Sequence, residues 1–534
     1  MKFSDINIKN FLDVLKNKFN NFLKFNKVKW IFLTYILIIL IGAGLLTSKI
    51  SLQKEQNISF FEAFFTSVSA FSDTGLVVKT TSTTFNQFGQ AIVAILILIG
   101  GAGFFAWKIY IFNYIFRFKL SLFQKSLVKT ERGANKFGEI KGVIISSLTI
   151  FIILIIFSSF VLSFYFYNVP GDFQPLQTID NNQELINPYK NTGLSIRYAI
   201  FHTITALNNA GFDIVGKYSF APYYSNYFVL IWLIILFVIG GIGYPVIYDI
   251  YLYIRSKIFR NQRYPMKFSL FSKISVSTYF IVAIIGISLI LIFETQTNNP
   301  HSFWNKSGSS LGFWGDSSSF NYGTKTNKVF ALIFYTFSTR SAGFSVFDTY
   351  DLSQPSLIIS SLLMFIGSSP SSTGGGIRTT TLAIIILSIW SKILGKKSIH
   401  SFKRSISFEN SDRASVVFFI SLFLVVIALL VGSSSFDNLS TKTIENPLIS
   451  SSIPDLEKYR TFNLFHLFFE INSAFGTTGL STGILDYLNI HTKTFLIFIM
   501  FIGQLGISSS ILIWSSEKNK FNKFEYLTED VMTG

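Results

Sequence analysis

Long apolar runs alternate with short basic segments over the whole chain. Nine runs carry few or no charges, and most reach or approach the ~20 residues needed to cross a ~30 Å hydrocarbon core. These runs are Trp30–Gly44, Ala91–Ala106, Val143–Phe166, Tyr227–Val246, Val276–Phe293, Ser356–Phe365, Leu382–Trp390, Val416–Val431 and Thr494–Trp514. Their length and apolar character predict an all-α membrane protein that crosses the bilayer several times.

Four short motifs of one kind lie between these runs. In each, an apolar stretch of about a dozen residues, too short to cross a bilayer, leads into small or polar residues and a glycine. The motifs are Ser69–Leu76, Thr205–Phe212, Phe337–Phe344 and Ser473–Leu480, and their glycines are spaced by 136, 132 and 136 residues. A glycine-containing break in the following apolar run begins 24 to 29 residues after each of these glycines, at Gly100, Gly240, Gly367 and Gly503. Two landmarks that keep their spacing four times indicate an internal repeat.

Each repeat is predicted to contain an outer helix (M1), a short re-entrant pore helix and a returning helix (M2). The predicted parts are a basic N-terminal segment at 1–29, repeats at 30–116, 142–256, 267–391 and 415–516, and a C-terminal tail at 517–534. Irregular backbone at membrane depth needs either burial in protein or a watery cavity. Four such segments therefore favour a pseudo-fourfold arrangement around one ion pore.

The net charge of +17 first suggests a nucleic-acid partner, but its distribution argues against one. Lys and Arg cluster in segments that flank the apolar runs: Met1–Lys29, Arg117–Lys141, Arg255–Lys273, Lys392–Arg413 and Lys518–Lys523. Basic loops lie in the cytoplasm, so both termini are predicted to be cytoplasmic. The chain has no cysteine and no phosphate-binding glycine loop or metal-ligand motif, so neither enzymatic activity nor a cofactor is expected.

The composition of the four loops suits a dehydrated cation. Rings of backbone carbonyls can replace the water ligands of such an ion. Glycine reaches positive φ angles, which lets successive carbonyls face the same way. The pore helices would also direct their partially negative C-terminal ends toward the shared cavity.

The loop motifs resemble those of the Trk/Ktr/HKT superfamily of potassium transporters, most closely its bacterial KtrB/TrkH-type membrane subunits. The closest matches are Thr339–Phe344 and Ser473–Gly483, and Tyr526–Val531 resembles the KtrB C-terminus. The resemblance runs from about Trp30 to the last residue. It implies K⁺ transport across the cell membrane by a homodimer with one pore per protomer. It also implies a cytosolic nucleotide-binding regulatory partner of the KtrA or TrkA type, and it leaves Na⁺ open as a co-ion or activator.

The same resemblance assigns a K⁺ selectivity filter. Its residues would be the loop glycines and the two residues before each: Asp73, Thr74, Gly75, Asn209, Ala210, Gly211, Ser341, Ala342, Gly343, Thr477, Thr478 and Gly479. Glycine in all four loops is the family pattern associated with K⁺, whereas serine in the first is associated with Na⁺ permeation.

The third M2 contains a polar interruption at membrane depth, predicted at residues 367–381. Pro370 and the run Gly374, Gly375 and Gly376 disfavour a continuous helix. The family has a matching intramembrane loop that obstructs the pore below the filter. A gate formed by Gly367, Pro370, Gly374, Gly375, Gly376, Arg378 and Gln504 is therefore expected, and a static kink is the alternative.

Four polar residues near the loops invite specific roles. Arg340 is expected to be a buried anchor to pore-loop carbonyls or to Glu470 rather than a direct ion-control group. Asp73 either attracts cations or is a solvent-facing cap. The family usually has Arg in a Gly-Arg-x-Gly sequence where this chain has Gln504, so Gln504→Arg is expected to slow flux.

Two alternative functions remain open from the sequence. One is a Na⁺-permeable or poorly selective cation transporter of the same fold. The other is a secondary transporter built from repeats with broken helices and a midplane site. Four parallel units, with basic clusters after each on the same side, speak against the second alternative because such transporters are commonly built from an inverted pair.

Overall fold

The computed structural model describes most of the helical part of the chain. It covers residues 27–111, 140–171, 188–216, 219–258, 267–300, 302–305, 322–396, 398–435, 444–445 and 459–507. Most of the predicted basic segment at 1–29, the tail at 517–534 and its Tyr526–Val531 motif lie outside these residues. The architecture is helical, with two short antiparallel strand pairs.

Each repeat contains the three predicted helical parts. The M1 helices are α1 (Lys27–Thr47), α6 (Ile140–Asn168), α10 (Leu270–Gln296) and α14 (Phe408–Ser433). The pore helices are α2 (Phe60–Phe71), α7 (Thr192–Leu207), α11 (Lys325–Ser338) and α15 (Leu464–Phe475). The M2 helices are α4 (Gln87–Ala102) with α5 (Phe104–Ile109), α8 (Tyr227–Gly241) with α9 (Tyr244–Ile258), α12 (Gln354–Phe365) with α13 (Thr379–Ile393), and α16 (Ile490–Leu505).

The remaining elements are short. Helix α3 (Thr81–Thr84) precedes the first M2, and strands β1 (Ile399–Ser401) and β2 (Arg404–Ile406) form a hairpin between α13 and α14. Strands β3 (Ile444–Glu445) and β4 (Tyr459–Arg460) pair before the fourth pore helix.

The helices differ in their ability to span a membrane. By length and composition, α6, α10 and α14 can each cross a bilayer, and so can α8 and α9 if this pair, bent by 99°, counts as one span. The pore helices have 12 to 16 residues, which is too short to cross. In the described part of the chain, the other M2 helices fall below span length because each breaks or ends near its glycine-rich segment.

All four pore helices begin at a side-chain cap. The oxygens of Ser59, Asn191, Thr324 and Asn463 accept bonds from backbone N–H groups in the first turn. Ser59 and Glu62 form a reciprocal capping box, which satisfies a further free donor. The sequence therefore fixes where each pore helix starts, and its opposite end leads into the glycine loop.

The repeats close into a ring. Helix α4 of the first repeat packs against pore helix α7 of the second, α8 against α11, and α12 against α15. Helix α16 of the fourth repeat then packs against α2 of the first. This cyclic order gives the pseudo-fourfold arrangement, which an inverted pair of repeats would not produce.

The outer faces of the M1 helices are apolar and exposed. Phe160 and Phe164 on α6, and Phe419, Phe423 and Leu430 on α14, are each exposed by 64% or more. Large apolar side chains in such rows belong next to lipid rather than water. The fold is therefore that of a multi-pass membrane protein with its polar loops turned inward.

Candidate ion pathway

The four glycine loops share one unusual backbone conformation. The glycines have φ angles of 88°, 68°, 81° and 90° at Gly75, Gly211, Gly343 and Gly479. The residue two positions before each glycine is also left-handed, with φ of 50° at Asp73, 56° at Asn209, 68° at Ser341 and 45° at Thr477. Non-glycine residues rarely adopt this conformation, so its recurrence in four loops marks a functional constraint. The sequence assigns these four residues to the expected filter, but it does not predict their left-handed conformation.

The glycines of neighbouring loops meet at the centre of the ring. A Cβ atom on Gly75 would lie 2.5 Å from the carbonyl oxygen of Ala210. A Cβ on Gly343 would lie under 3.0 Å from the Thr478 carbonyl oxygen, and one on Gly479 under 3.0 Å from that of Thr74. Glycine is needed here because any side chain would collide with the backbone of the next loop.

The carbonyls that surround this centre belong to the residue just before each glycine. Besides those of Thr74, Ala210 and Thr478, the Ala342 carbonyl oxygen lies 3.2 Å from the Cβ position of Gly211. The structure thus brings together eight of the twelve expected filter residues, four glycines and four carbonyls. The pore helices end next to them, at Phe71, Leu207, Ser338 and Phe475, with their negative dipole ends toward the same centre.

The other four expected filter residues direct their side chains toward the M2 helices. The side chains of Asp73 and Asn209 lie beside Gly101 and Gly240, and those of Ser341 and Thr477 lie beside Gly374 and Gly375. Their side chains therefore connect the four glycine loops to the M2 segments beneath them. Because Asp73 is fully buried, the alternative that it is a solvent-facing cap is wrong.

The M2 breaks fall slightly later than the sequence analysis placed them. Gly100, Gly240 and Gly503 lie inside helices, and the left-handed residues that interrupt or end those helices are Gly103, Gly243 and Gly506. Gly100, Gly240 and Gly503 do not break the helices but allow them to pack closely against the pore helices. Cβ atoms on Gly100, Gly240 and Gly503 would lie under 3.0 Å from the carbonyl oxygens that end the pore helices, at Phe71, Leu207 and Phe475.

The third M2 is interrupted from Ile366 to Arg378, which separates α12 from α13. This intramembrane loop is mostly buried and lies against the second and fourth repeats. The N–H of Gly375 donates to Oγ1 of Thr477 at 2.7 Å, and the N–H of Ser369 donates to the Gly241 carbonyl at 3.0 Å. The predicted gate residues Gly367, Pro370, Gly374, Gly375, Gly376 and Arg378 all lie in this loop.

Gln504 joins the loop to the first filter segment. Its Nε2 donates to Oδ2 of Asp73 and to the carbonyl oxygen of Thr373, both at 3.0 Å. Arg378 of the loop donates to the Gln504 carbonyl at 3.2 Å and to the Gly374 carbonyl. Residues from three repeats therefore meet at one amide group.

Arg340 is buried and anchors the start of the intramembrane loop. Its guanidinium donates to the carbonyls of Leu363, Ile366 and Gly367 and packs 5.3 Å from the ring centre of Tyr279. The expected acceptors, pore-loop carbonyls or Glu470, are therefore wrong. Glu470 instead uses Oε1 to accept bonds from Ser481 Oγ and the Thr482 N–H, which hold the segment after the fourth filter motif.

A cavity of about 260 Å³ lies above the glycines. All four loop glycines line it, together with Asp213, Asp348 and Asp486. These carboxylates were not anticipated, although each follows its loop glycine by two to seven residues in a chain with only 28 acidic residues. Acidic groups around a narrow mouth attract cations.

The pKa of Asp213 is raised to about 7. Asp213 lies in the outer loop between α7 and α8. Burial is the main cause, and hydrogen bonds from Gly216, Val215 and Ser219 oppose it. The charge at the cavity mouth therefore changes near neutral pH.

Known proteins resemble this chain over nearly its full length. The family described as TrkH, cation transport protein, matches residues 18–524. The uncharacterized cation transporter MG322 of Mycoplasma genitalium is 33% identical, over 94% of this chain and 96% of its own. The Ktr system potassium uptake protein D of Bacillus subtilis is 30% identical, over 94% of this chain and 96% of its own.

A solved structure shares the fold. The crystal structure of the potassium transporter TrkH from Vibrio parahaemolyticus matches with a TM-score of 0.59 and 14% identity, over 90% of this chain and 83% of that chain. The fold, the central loops and these matches define a multi-pass membrane cation transporter. The chain belongs to the TrkH family of cation transport proteins, which are transporters and not a class of enzymes.

Proposed function

We propose that this chain conducts K⁺ into the cell, driven by the membrane potential, through the ring of Gly75, Gly211, Gly343 and Gly479. The observation that carries the proposal is the convergence of four glycines and four preceding carbonyls below an acidic outer cavity. Carbonyl rings of this kind replace the hydration shell of a cation. Glycine in the first loop, at Gly75, supports K⁺ over Na⁺ as the preferred ion.

The intramembrane loop Ile366–Arg378 is the proposed gate. It lies directly beneath the glycine ring, and several hydrogen bonds join it to the second and fourth repeats. Each bond contributes about 0.5–1.5 kcal/mol, so moving the loop requires an event, such as binding of the regulatory subunit, that offsets several bonds together. In the first and second repeats, the two parts of M2 are separated by only one or two residues, which leaves those segments less freedom to move.

We further propose the assembly that the family resemblance implies. The transporter would be a homodimer with one pore per protomer, bound on its cytosolic side by a separate nucleotide-binding subunit that moves the loop. Na⁺ would act at most as a co-ion or activator. Mass measurement of the purified complex by light scattering, with and without the candidate regulatory subunit, tests both associations.

The test of the transport proposal is ⁸⁶Rb⁺ uptake into proteoliposomes with competing K⁺ or Na⁺ outside. K⁺ is expected to block uptake, and an equal excess of Na⁺ is not. Equal competition by Na⁺ would establish instead the poorly selective alternative. If uptake requires the cytosolic subunit, the same competition is measured after adding it.

The variant Gly343→Ser tests the role of the ring. Its Cβ would collide with the Thr478 carbonyl, so uptake or K⁺ preference should fall at least tenfold. Gly44→Ser is the matched control, because a Cβ at Gly44 would have no neighbour within 4 Å. Normal K⁺ preference in Gly343→Ser would contradict the proposal.

A further inference from the structure

Two polar side chains converge behind the filter, on the inner side of the first and second loops. A Cβ atom on Gly101 would lie under 3.0 Å from both Asp73 Oδ2 and Asn208 Oδ1. Both side chains are at most 1% exposed. Gly101 leaves the room in which these two oxygens approach each other, and both are hydrogen-bond acceptors when Asp73 is ionised.

The orientation of Asn208 is set by its other amide atom. Its Nδ2 donates to the Ile204 carbonyl at 2.9 Å, which turns Oδ1 toward Asp73. Oδ1 is buried and has no hydrogen-bond partner. A buried amide oxygen without a donor is unfavourable, and a nearby carboxylate oxygen increases the need for a positive partner.

The local field also favours a cation. Asn208 is the C-cap of pore helix α7, and Asp73 directly follows Ser72, the C-cap of pore helix α2. Helix C-termini carry partial negative charge. Two helix ends, a carboxylate group and an amide oxygen therefore point to one small region.

This region is tied to the intramembrane loop by Gln504. The same Nε2 that donates to Asp73 Oδ2 also donates to the Thr373 carbonyl of the loop. If the loop moves, the Thr373 bond must break, and the amide of Gln504 can then rearrange around Asp73. The oxygen pair and the loop are thus mechanically connected.

We propose that Asp73 and Asn208 form an inner alkali-cation site, separate from the ring of glycines, and that Gln504 couples occupation of this site to the position of the intramembrane loop. The proposal rests on the proposed cation conduction. Carboxylate and amide oxygens are hard ligands of the kind that alkali and other hard cations accept. A cation leaving the glycine ring would bind here before the loop lets it pass.

The direct test locates the ion. Crystals of the full chain grown in Tl⁺ are expected to show anomalous density both at the glycine ring and between Asp73 and Asn208. In Asp73→Asn the inner density should vanish while the ring density stays. Asp348→Asn, which removes one charge from the outer cavity instead, should retain both.

The outcomes separate the two proposals. Density at the ring alone in the wild-type protein would overturn the inner site, since no cation would then bind between Asp73 and Asn208. Density at neither position would contradict the proposed conduction pathway as well. Inner density that survives Asp73→Asn would also overturn the assignment.

Transport kinetics test the coupling. Asp73→Asn is expected to raise the half-saturating Rb⁺ concentration by roughly tenfold, the loss expected for one charged ligand. Gln504→Leu keeps the Asp73 carboxylate but removes the hydrogen bonds that join it to the Thr373 carbonyl of the loop. It should therefore raise the uptake rate of the isolated chain, and it should change the half-saturating Rb⁺ concentration less than Asp73→Asn does. The reverse pattern, or identical effects of both variants, would count against the coupling.

Discussion

The third M2 differs from the other three at the same position in the repeat. In the first, second and fourth repeats, a glycine inside the helix lets it pack directly against the carbonyl that ends a pore helix. In the third, the corresponding glycine, Gly367, instead packs against the carbonyl of Gly375, within its own loop. The third repeat therefore lacks this helix contact and has in its place the loop that is proposed to move.

The hydrogen bonds of the third repeat agree with this difference between a loop and a rigid helix. Arg340 binds the carbonyls at the end of α12 and thereby holds the fixed edge of the loop. Beyond that edge, hydrogen bonds to neighbouring repeats hold the loop. Examples are the bond from the Gly375 N–H to Oγ1 of Thr477 and the bond from the Ser369 N–H to the Gly241 carbonyl. In the proposed mechanism, the ring of helices is the rigid frame and the loop of the third repeat is the movable part.

The largest effect is expected from breaking a rigid contact. In Gly100→Ala the new methyl group meets the Phe71 backbone, which cannot move without shifting the pore helix, so stability should fall by about 3 kcal/mol or more. Thermal unfolding of the detergent-purified protein measures this loss. Gly44→Ala, on an open helix face, should be neutral or slightly stabilising. Equal melting temperatures for both variants would show that the rigid contact is unimportant.

An intermediate effect is expected from loosening the movable part. Thr477→Val keeps the side-chain shape but removes the acceptor of the Gly375 N–H, which should raise Rb⁺ uptake by the isolated chain roughly fivefold. Thr203→Val, in pore helix α7, is the matched control, since the Thr203 hydroxyl is likewise buried but has no hydrogen-bond partner. Unchanged or reduced uptake in Thr477→Val, with normal uptake in the control, would argue that the loop is a static kink.

Much of this arrangement could be read from the sequence because its signals are local. The apolar runs, the glycine in each loop and the break around Pro370 all lie within single segments whose composition dictates their conformation. The acceptors of Arg340 and the bridge from Gln504 to Asp73 could not be predicted, since they join residues from different segments that meet only when the ring closes. The left-handed conformation of Ser341 and Thr477 likewise comes from tertiary packing, because these residue types rarely adopt it on their own.

Gln504 shows how much of a residue's role the sequence alone can predict. The sequence identified Gln504 as a departure from the usual Arg and predicted that Gln504→Arg slows flux. That remains a prediction, but its physical basis is now specific. An Arg side chain there would lie against the Asp73 carboxylate and neutralise it, in the space where the amide of Gln504 now bridges to Thr373.

The smallest effect concerns the cavity lined by Asp213, Asp348 and Asp486, which lies on the other side of the glycine ring from the loop. Because the pKa of Asp213 is raised to about 7, its carboxyl is mostly ionised at pH 8 and mostly neutral at pH 6. Lowering the external pH over this range should therefore reduce uptake at subsaturating Rb⁺ by roughly twofold, and high salt should weaken the effect. Asp213→Asn should remove this pH dependence, whereas Asp348→Asn should keep it.

Thr477→Val should also keep this pH dependence, since the loop and the carboxylates of the cavity act on opposite sides of the glycine ring. If Thr477→Val abolished the pH response, the loop and the carboxylates of the cavity would not act independently.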